Sequence, residues 1–452
     1  MISDAFRSQM QALLGNETPA FEAALQQVAP VSVRHNLAKS SGLFSEQTDA
    51  VLWCSTGRYL PTRPVFTLDP LFHAGAYYVQ EASSMLIDYA LRQVVNVAEP
   101  LRVLDLCAAP GGKSTLLAAA LHPDSLLLCN EVIRSRVGIL KENVQKWGLP
   151  NLHVSHHDPE DLATLVGFFD VILVDAPCSG EGLFRKDPAA MNEWSPESVL
   201  TCAGRQKRIL TAAAPLLKPN GLLIYCTCTY NATENQENAA FLANELDFEE
   251  MPLNLPSEWG VARQAFGYQC YPHRVRGEGF FLSVFKKKNG LEEVRESVFA
   301  FRAMKALHHK DVRVVESWFE TPADYDFFIK PNQEIVAVLA SQADDLKILD
   351  KALSTKGLGF EIGTIKGKDF IPSHALALST AIAAHLPRVE LNANEALQFL
   401  KKENLLFDAP KGWLLVTHQG LGLGWAKNLG NRVNNYLPKE WRIRMSIEQI
   451  SG

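Results

Sequence analysis

The sequence predicts an α/β protein built on a parallel sheet with helices on both faces, and three observations carry that prediction. Between residues 102 and 228, short apolar runs alternate with helical patterns, as parallel strands require crossover helices. A small-residue loop, VLDLCAAPGGKS (Val103–Ser114), joins the first run to the first helix. Two later motifs, DAPCSGEG (Asp175–Gly182) and YCTCTY (Tyr225–Tyr230), each put a cysteine just beyond the carboxyl end of a strand. Sheets of this kind hold their ligands there.

In order, helical stretches at Asp4–Leu14 and Glu81–Val95 flank turns marked by Pro61, Pro64 and Pro70. The runs Arg102–Cys107, Ser125–Glu131, Leu152–His156, Phe169–Asp175 and Gly221–Cys228 read as buried strands, because strands covered on both faces lose polar alternation. Ser114–Leu121, Ser135–Trp147 and Ser198–Leu217 read as the helices between them, and Phe280–Lys287 as a last strand. After Asn289 the pattern weakens. A helical piece, Leu291–Leu307, leads into a less regular region with Gly357, Gly359, Gly363 and Gly367. A helix at Asn394–Glu403 then precedes a glycine-rich, aromatic end around Trp413, Gly420, Gly424 and Trp425, the pattern of a small β-rich module. The expected divisions are an extension over 1–95, the sheet domain over 96–288, an intermediate region of unassigned role over 289–385, and the last module over 386–452.

Composition narrows the class. The 452 residues suffice for two to four domains, and 47% hydrophobic with 21% charged residues is globular and excludes wholesale disorder. No apolar run reaches the ~18–20 residues that a membrane-spanning helix needs. Asp4, Glu17 and Glu22 break the basic-then-apolar layout of a secretory signal, so a soluble, cytoplasmic protein is expected. Eight cysteines without a CxxC pair point to neither a disulfide scaffold nor a metal site. The formal net charge is −6, yet the stretch from Lys401 to Gly452 holds 8 basic and 4 acidic residues. Local charge therefore leaves a nucleic-acid partner open.

Three signals carry chemistry. Gly111 and Gly112 let a ligand approach the backbone at the start of a helix, although the spacing around Lys113 is neither GxxxxGK[ST] nor GxGxxG. Taken alone, this is also what a plain tight turn looks like. Glu131 ends the second strand 20 residues beyond Gly111, where a carboxylate can accept both ribose hydroxyls. Asp158 follows the third strand and is placed for an adenine amino group; either acid read singly can also be a helix cap or a solvated loop residue, an alternative that the two together weaken. Cys178 and Cys228 stand at two strand ends, one of them after Asp-Ala-Pro. A free cysteine is ordinarily a small buried hydrophobe, but two in such places point to reactivity.

Loop, acid and acid at successive strand ends resemble the S-adenosylmethionine site of class I methyltransferases, a Rossmann-like fold. DLCAAPGGKS, DAPCSGEG and the Thr227–Cys228 pair, in this order, resemble the Sun-type RNA (cytosine-5) methyltransferases over roughly residues 25–288. The closing segment Leu429–Ile443, with LGNRVNNY and LPKEWRI, is similar to the RsmF-type branch acting on small-subunit ribosomal RNA. The resemblance implies an RNA-binding N-terminal extension, a PUA-like RNA-binding C-terminal module, and a monomer whose partner is ribosomal RNA or the 30S subunit. It assigns S-adenosylmethionine to Cys107, Ala108, Ala109, Pro110, Gly111, Gly112, Lys113, Glu131, Arg136, Asp158 and Asp175. Catalysis falls to Cys228 as nucleophile, Cys178 in release, and Asp175 with Lys113 on the cytosine edge.

Two departures stand out. Glu131 replaces the family's usual Asp, and Cys226 precedes Thr227–Cys228; Cys226 is expected to face away from Cys228 and to take no part. Arg185 and Lys186 are expected near phosphate, and Tyr77, Tyr78 and Gln80 beneath the cofactor loop. A transfer-RNA substrate would share the catalytic half. A non-catalytic assembly factor would have no need of two thiols, and a nitrogen methyltransferase would carry an Asn-Pro-Pro-aromatic motif that this sequence lacks.

Overall fold

The computed structural model describes residues 2–39, 48–290, 300–353, 357–406 and 408–446. A nine-stranded sheet lies at its centre. Five of the strands run parallel: β1 (Arg102–Asp105), β2 (Leu126–Asn130), β3 (Leu152–Ser155), β4 (Phe169–Asp175) and β5 (Leu217–Thr227). A sixth, β6 (Phe280–Lys287), pairs antiparallel with β5, Phe281 opposite Thr227 and Lys286 opposite Leu222. The order across the sheet is β6-β5-β4-β1-β2-β3, with Tyr268–Cys270, Ala262–Arg263 and Phe248–Glu250 filling the β6 side. The sheet is therefore mixed rather than wholly parallel. The loop joining Tyr268–Cys270 to β6 is too short for a crossover helix, so that pair closes antiparallel.

Alternate residues of a strand face opposite sides, and here both sides are core. Val103, Leu127, Val171, Leu173 and Ile224 pack on one face, against Leu116 and Leu117 of α1 (Gly112–Ala120) and Leu140 and Val144 of α2 (Arg134–Trp147). Leu104, Leu128, Ile172, Val174 and Leu223 pack on the other, against Ile209 and Leu210 of α3 (Pro196–Ala213) and Ala239 and Leu242 of α4 (Gln236–Glu245). α3 opens on a reciprocal Ser195–Ser198 cap with Pro196 at its first position, a favourable helix start. It stops at Ala213, short of the expected Leu217, just before Pro215. The chain winds outward from β1 through β2 and β3, then returns to β4. Between β1 and β4 the winding reverses, and a crevice opens at their carboxyl ends.

The N-terminal segment forms helices Asp4–Leu14 and Thr18–Leu25 and a four-stranded antiparallel sheet ordered Ala50–Val51, Cys54–Leu60, Val31–His35, Tyr77–Val79. Residues 291–299 of the expected helix Leu291–Leu307 lie outside the described residues. The rest is not helical: Lys305–Ala306 is the edge strand of a five-stranded antiparallel sheet completed by Tyr325–Ile329, Ile335–Leu339, Phe360–Lys366 and Asp369–Pro372. Its tightest hairpin pairs Lys366 with Asp369 around Gly367 at φ 63°, the left-handed conformation that two-residue turns demand. The last sheet joins Arg388–Glu390 in parallel to Gly412–His418, across helix Ala393–Leu400, and adds Leu421–Asn428 and Val433–Asn435 antiparallel.

Helix α2 ties these parts together. At its C-terminal end, Lys39 Nζ donates to the Lys146 carbonyl at 2.6 Å and Asn36 Nδ2 to the Trp147 carbonyl at 2.9 Å. Burial pushes the Lys39 amine down to about 7. Gly148 ends the helix at φ 79°, and a Cβ there would lie 2.2 Å from the Leu378 carbonyl. Thr380 N donates to the Gly148 carbonyl at 3.0 Å.

Candidate active site

The crevice holds a cavity of about 650 Å³ whose lining includes Cys107, Ala109, Lys113, Glu131, Arg136, Asp175, Cys178 and Cys228. The loop after β1 forms its floor. Gly111 adopts φ 110° before α1, a conformation that only glycine takes freely. Asn143 Nδ2 donates to the Pro110 carbonyl at 2.8 Å and Arg136 Nη2 to the Ala109 carbonyl at 2.5 Å, so α2 holds the loop from outside. Ala108 N donates to the Asn130 carbonyl at 2.8 Å. From below, a Cβ on Gly112 would come within 3.1 Å of the Tyr78 ring. Tyr78 thus packs under the loop, while Arg34 reaches past it to Gln80 Oε1 at 2.8 Å and Thr115 Oγ1 at 2.6 Å. Tyr77 turns away to Asp69.

Glu131 is buried. Its Oε1 accepts from Ile133 N at 2.8 Å and its Oε2 from Ala109 N at 3.3 Å, with Arg136 Nη1 at 3.5 Å. Asp158 caps the short turn Pro159–Leu162, and Arg208 grips both its oxygens at 2.9 and 3.1 Å. That hydrogen bond pulls the Asp158 carboxyl below its ordinary value. Pro159 rather than Asp158 lines the cavity.

At the other end, Lys113 Nζ donates to Asp175 Oδ2 at 2.7 Å. Burial disfavours the ammonium, but Asp175 outweighs it and the net shift is upward. The Cys178 and Cys228 sulfurs are 3.2 Å apart. The hydrogen bond with Cys228, then burial, pushes the Cys178 thiol well up. Gly182 closes this arrangement: its N–H donates to the Cys228 carbonyl at 2.7 Å, and a Cβ would sit 2.6 Å from that oxygen.

Two expectations are corrected. Cys226 does not face away from Cys228: positions two apart on a strand share a face, and Cys226 Sγ donates to Asp175 Oδ1 at 3.5 Å. Arg185 offers nothing to a phosphate, being buried with Glu278 at 3.0 Å. Its donors also go to the Gly277 and Ala24 carbonyls.

Sequence reasoning missed three acids. Asp105, at the end of β1, accepts from Ser114 Oγ at 2.6 Å and leaves Oδ1 buried without a partner; burial raises its carboxyl to about 7. Glu181 and Glu234 are each 0% exposed and lie within six residues of a motif cysteine, which was the available signal. S-adenosylmethionine fits the residues present. Glu131 and the two sulfurs line one cavity together with Lys113 in the first turn of α1, and a helix start offers free amides to a ligand.

Comparison with known proteins agrees with this geometry. Residues 92–286 match the family described as 16S rRNA methyltransferase RsmB/F, residues 2–82 the N-terminal domain of 16S rRNA methyltransferase RsmF, and residues 386–443 the methyltransferase RsmF PUA domain. Ribosomal RNA small subunit methyltransferase F of Aliivibrio fischeri is 32% identical over 97% of both chains. Its Salmonella agona counterpart is 30% identical over 97% of this chain and 96% of its own. A solved methyltransferase homolog from Pyrococcus horikoshii, 27% identical, superposes with a TM-score of 0.54 over 63% of this chain and 95% of its own. With relatives of this similarity along nearly its whole length, the chain belongs to the RsmB/F family of 16S rRNA methyltransferases.

Proposed function

We propose that this protein methylates carbon 5 of a cytosine in 16S ribosomal RNA through a covalent Cys228 adduct, acting as a monomer in the cytoplasm. One observation carries the reading: two thiols 3.2 Å apart open onto the same cavity as the Lys113–Asp175 pair. Carbon 5 of cytosine is a weak nucleophile. Addition of the Cys228 thiolate to carbon 6 forms a C–S bond and pushes an electron pair toward carbon 5, the logic of covalent catalysis. Asp175, as a carboxylate, accepts from the cytosine amino group, and Lys113 steadies it and can donate to the acceptor atoms of the base as charge shifts. S-adenosylmethionine supplies the methyl group as an electrophile. Cys178 then assists removal of the carbon 5 proton, directly or by placing a base. The C–S bond electrons return to Cys228 as it leaves. A target base reaches these sulfurs only when it is unstacked or flipped out.

Tritiated S-adenosylmethionine offered with 16S RNA, 30S subunits and tRNA tests the proposal. Label enters a ribosomal substrate with wild type, is lost in Cys228→Ala, and is replaced by a trapped protein–RNA adduct in Cys178→Ala. Normal labelling by Cys228→Ala would end the covalent reading; label on tRNA alone would end the substrate assignment.

A further inference from the structure

We infer that Glu234 and Glu181 form a reciprocal clamp in which each cysteine loop lends a buried carboxylate to the other, and that Glu234 thereby positions Cys178 for the release step. This rests on the covalent reading above and deepens it. Glu234, beyond Cys228, accepts from the amide of Ser179, the residue after Cys178, at 3.0 Å. It accepts as well from Ser179 Oγ, from Asn231 Nδ2 at 2.8 Å and from Gln206 Nε2 at 2.7 Å. Gln206 Nε2 also donates to the Pro177 carbonyl at 3.0 Å, so the residues on both sides of Cys178 are fastened. In the other direction, Glu181 of the Cys178 loop accepts from the amides of Tyr230 and Asn231 at 2.8 and 3.0 Å, just past Cys228. Asn231 Nδ2 reaches Glu181 Oε1 at 3.0 Å and is the knot between the two acids.

A carboxylate offers about four acceptor sites, and Glu234 fills its sites from four donor groups. Burying such a charge is tolerable only when it is saturated with donors; the site therefore specifies a carboxylate and rejects an amide. Neither acid lines the cavity, so both act through the loops that they hold. A gap of 3.2 Å between two sulfurs needs that restraint, because free loops drift by more than an ångström.

Two measurements on the full-length protein test this. The first is the yield of trapped protein–RNA adduct beside turnover. In Glu234→Ala, turnover falls at least tenfold and the adduct accumulates as in Cys178→Ala, with the KM for S-adenosylmethionine unchanged. Glu234→Gln behaves like Glu234→Ala, since its amide nitrogen confronts donors, whereas a space-filling role would be rescued by Gln. The second measurement ignores the reaction. Dibromobimane bridges thiols a few ångströms apart, and peptide mass spectrometry locates the bridge. Wild type forms the Cys178–Cys228 bridge, and Glu234→Ala forms it at least fivefold more slowly at equal melting temperature. Unchanged bridging, or rescue by Gln, would overturn the clamp. A Cys178→Ala protein without adduct would instead overturn the covalent reading and leave the bridging result to decide the clamp.

Discussion

The two ends of the cavity are held by different physics. At the sulfur end, Lys113 with Asp175 and Glu234 with its four donor groups are mostly buried, where charge-assisted hydrogen bonds act at low effective dielectric. At the acid end, the partners of Asp158 and Glu131 include the half-exposed guanidinium groups of Arg208 and Arg136. Solvent competes with pairs of this kind, and they are worth little individually. The sulfur end is therefore rigidly preorganised, the condition under which electrostatic stabilisation is strongest. At the acid end, the exposed arginines Arg208 and Arg136 only add to the backbone amides that hold the buried Glu131 and cap Asp158.

Substitutions should follow that gradient. Lys113→Met strips Asp175 of its ion pair in a mostly buried site, where leaving one charge uncompensated costs about 3–5 kcal/mol. We expect kcat to fall by roughly 10²-fold or more, with a smaller change in the KM for S-adenosylmethionine, measured by steady-state methyl transfer. A fall in kcat of under threefold would show that the pair is merely structural. Cys226→Val replaces the thiol by two methyl groups and deletes the donor to Asp175 Oδ1. A neutral hydrogen bond contributes ~1 kcal/mol, so kcat should drop ~5–10-fold and recover in Cys226→Ser. Equal kinetics for the Val and Ser variants would return Cys226 to the role of filler. Arg208→Ala removes an exposed bridge worth ~0–1 kcal/mol. Calorimetric affinity for S-adenosylmethionine should change less than about threefold, and a larger loss would mean that Arg208 orders the adenine side.

What the sequence revealed and what it hid divide along sequence separation. The glycine loop, Glu131 and both cysteines were legible because strand–loop–helix syntax is local, and strand ends mark where ligands go. β6 was legible to the residue, Phe280–Lys287, as an apolar run closed by lysines. The buried Arg185–Glu278 pair spans 93 residues and the Glu234–Ser179 contact 55; no window that reads periodicity spans such distances. Cys226 was misjudged for a different reason. The period of two that places Cys226 and Cys228 on one face was in plain view, and the strand simply has to be read with it. The sheet over residues 305–372 was obscured by short strands, some with polar or glycine residues, such as Phe360–Lys366, whose pairing depends on tertiary partners more than on propensity.

Helix α2 has a mechanical meaning. Arg136 in its first turn and Asn143 in its third grip the loop after β1, and its last turn is held by Lys39 and Asn36 on one side and, through Gly148, by Thr380 on the other. It is a strut with one foot in the catalytic crevice and the other wedged where the flanking segments meet. Force applied to either flank is transmitted along about 16 Å of rigid rod, from Trp147 to Arg136, to the loop after β1. The flanks are thus abutments of the catalytic domain, and cutting one away would expose helix-end carbonyls that are sealed in the intact chain.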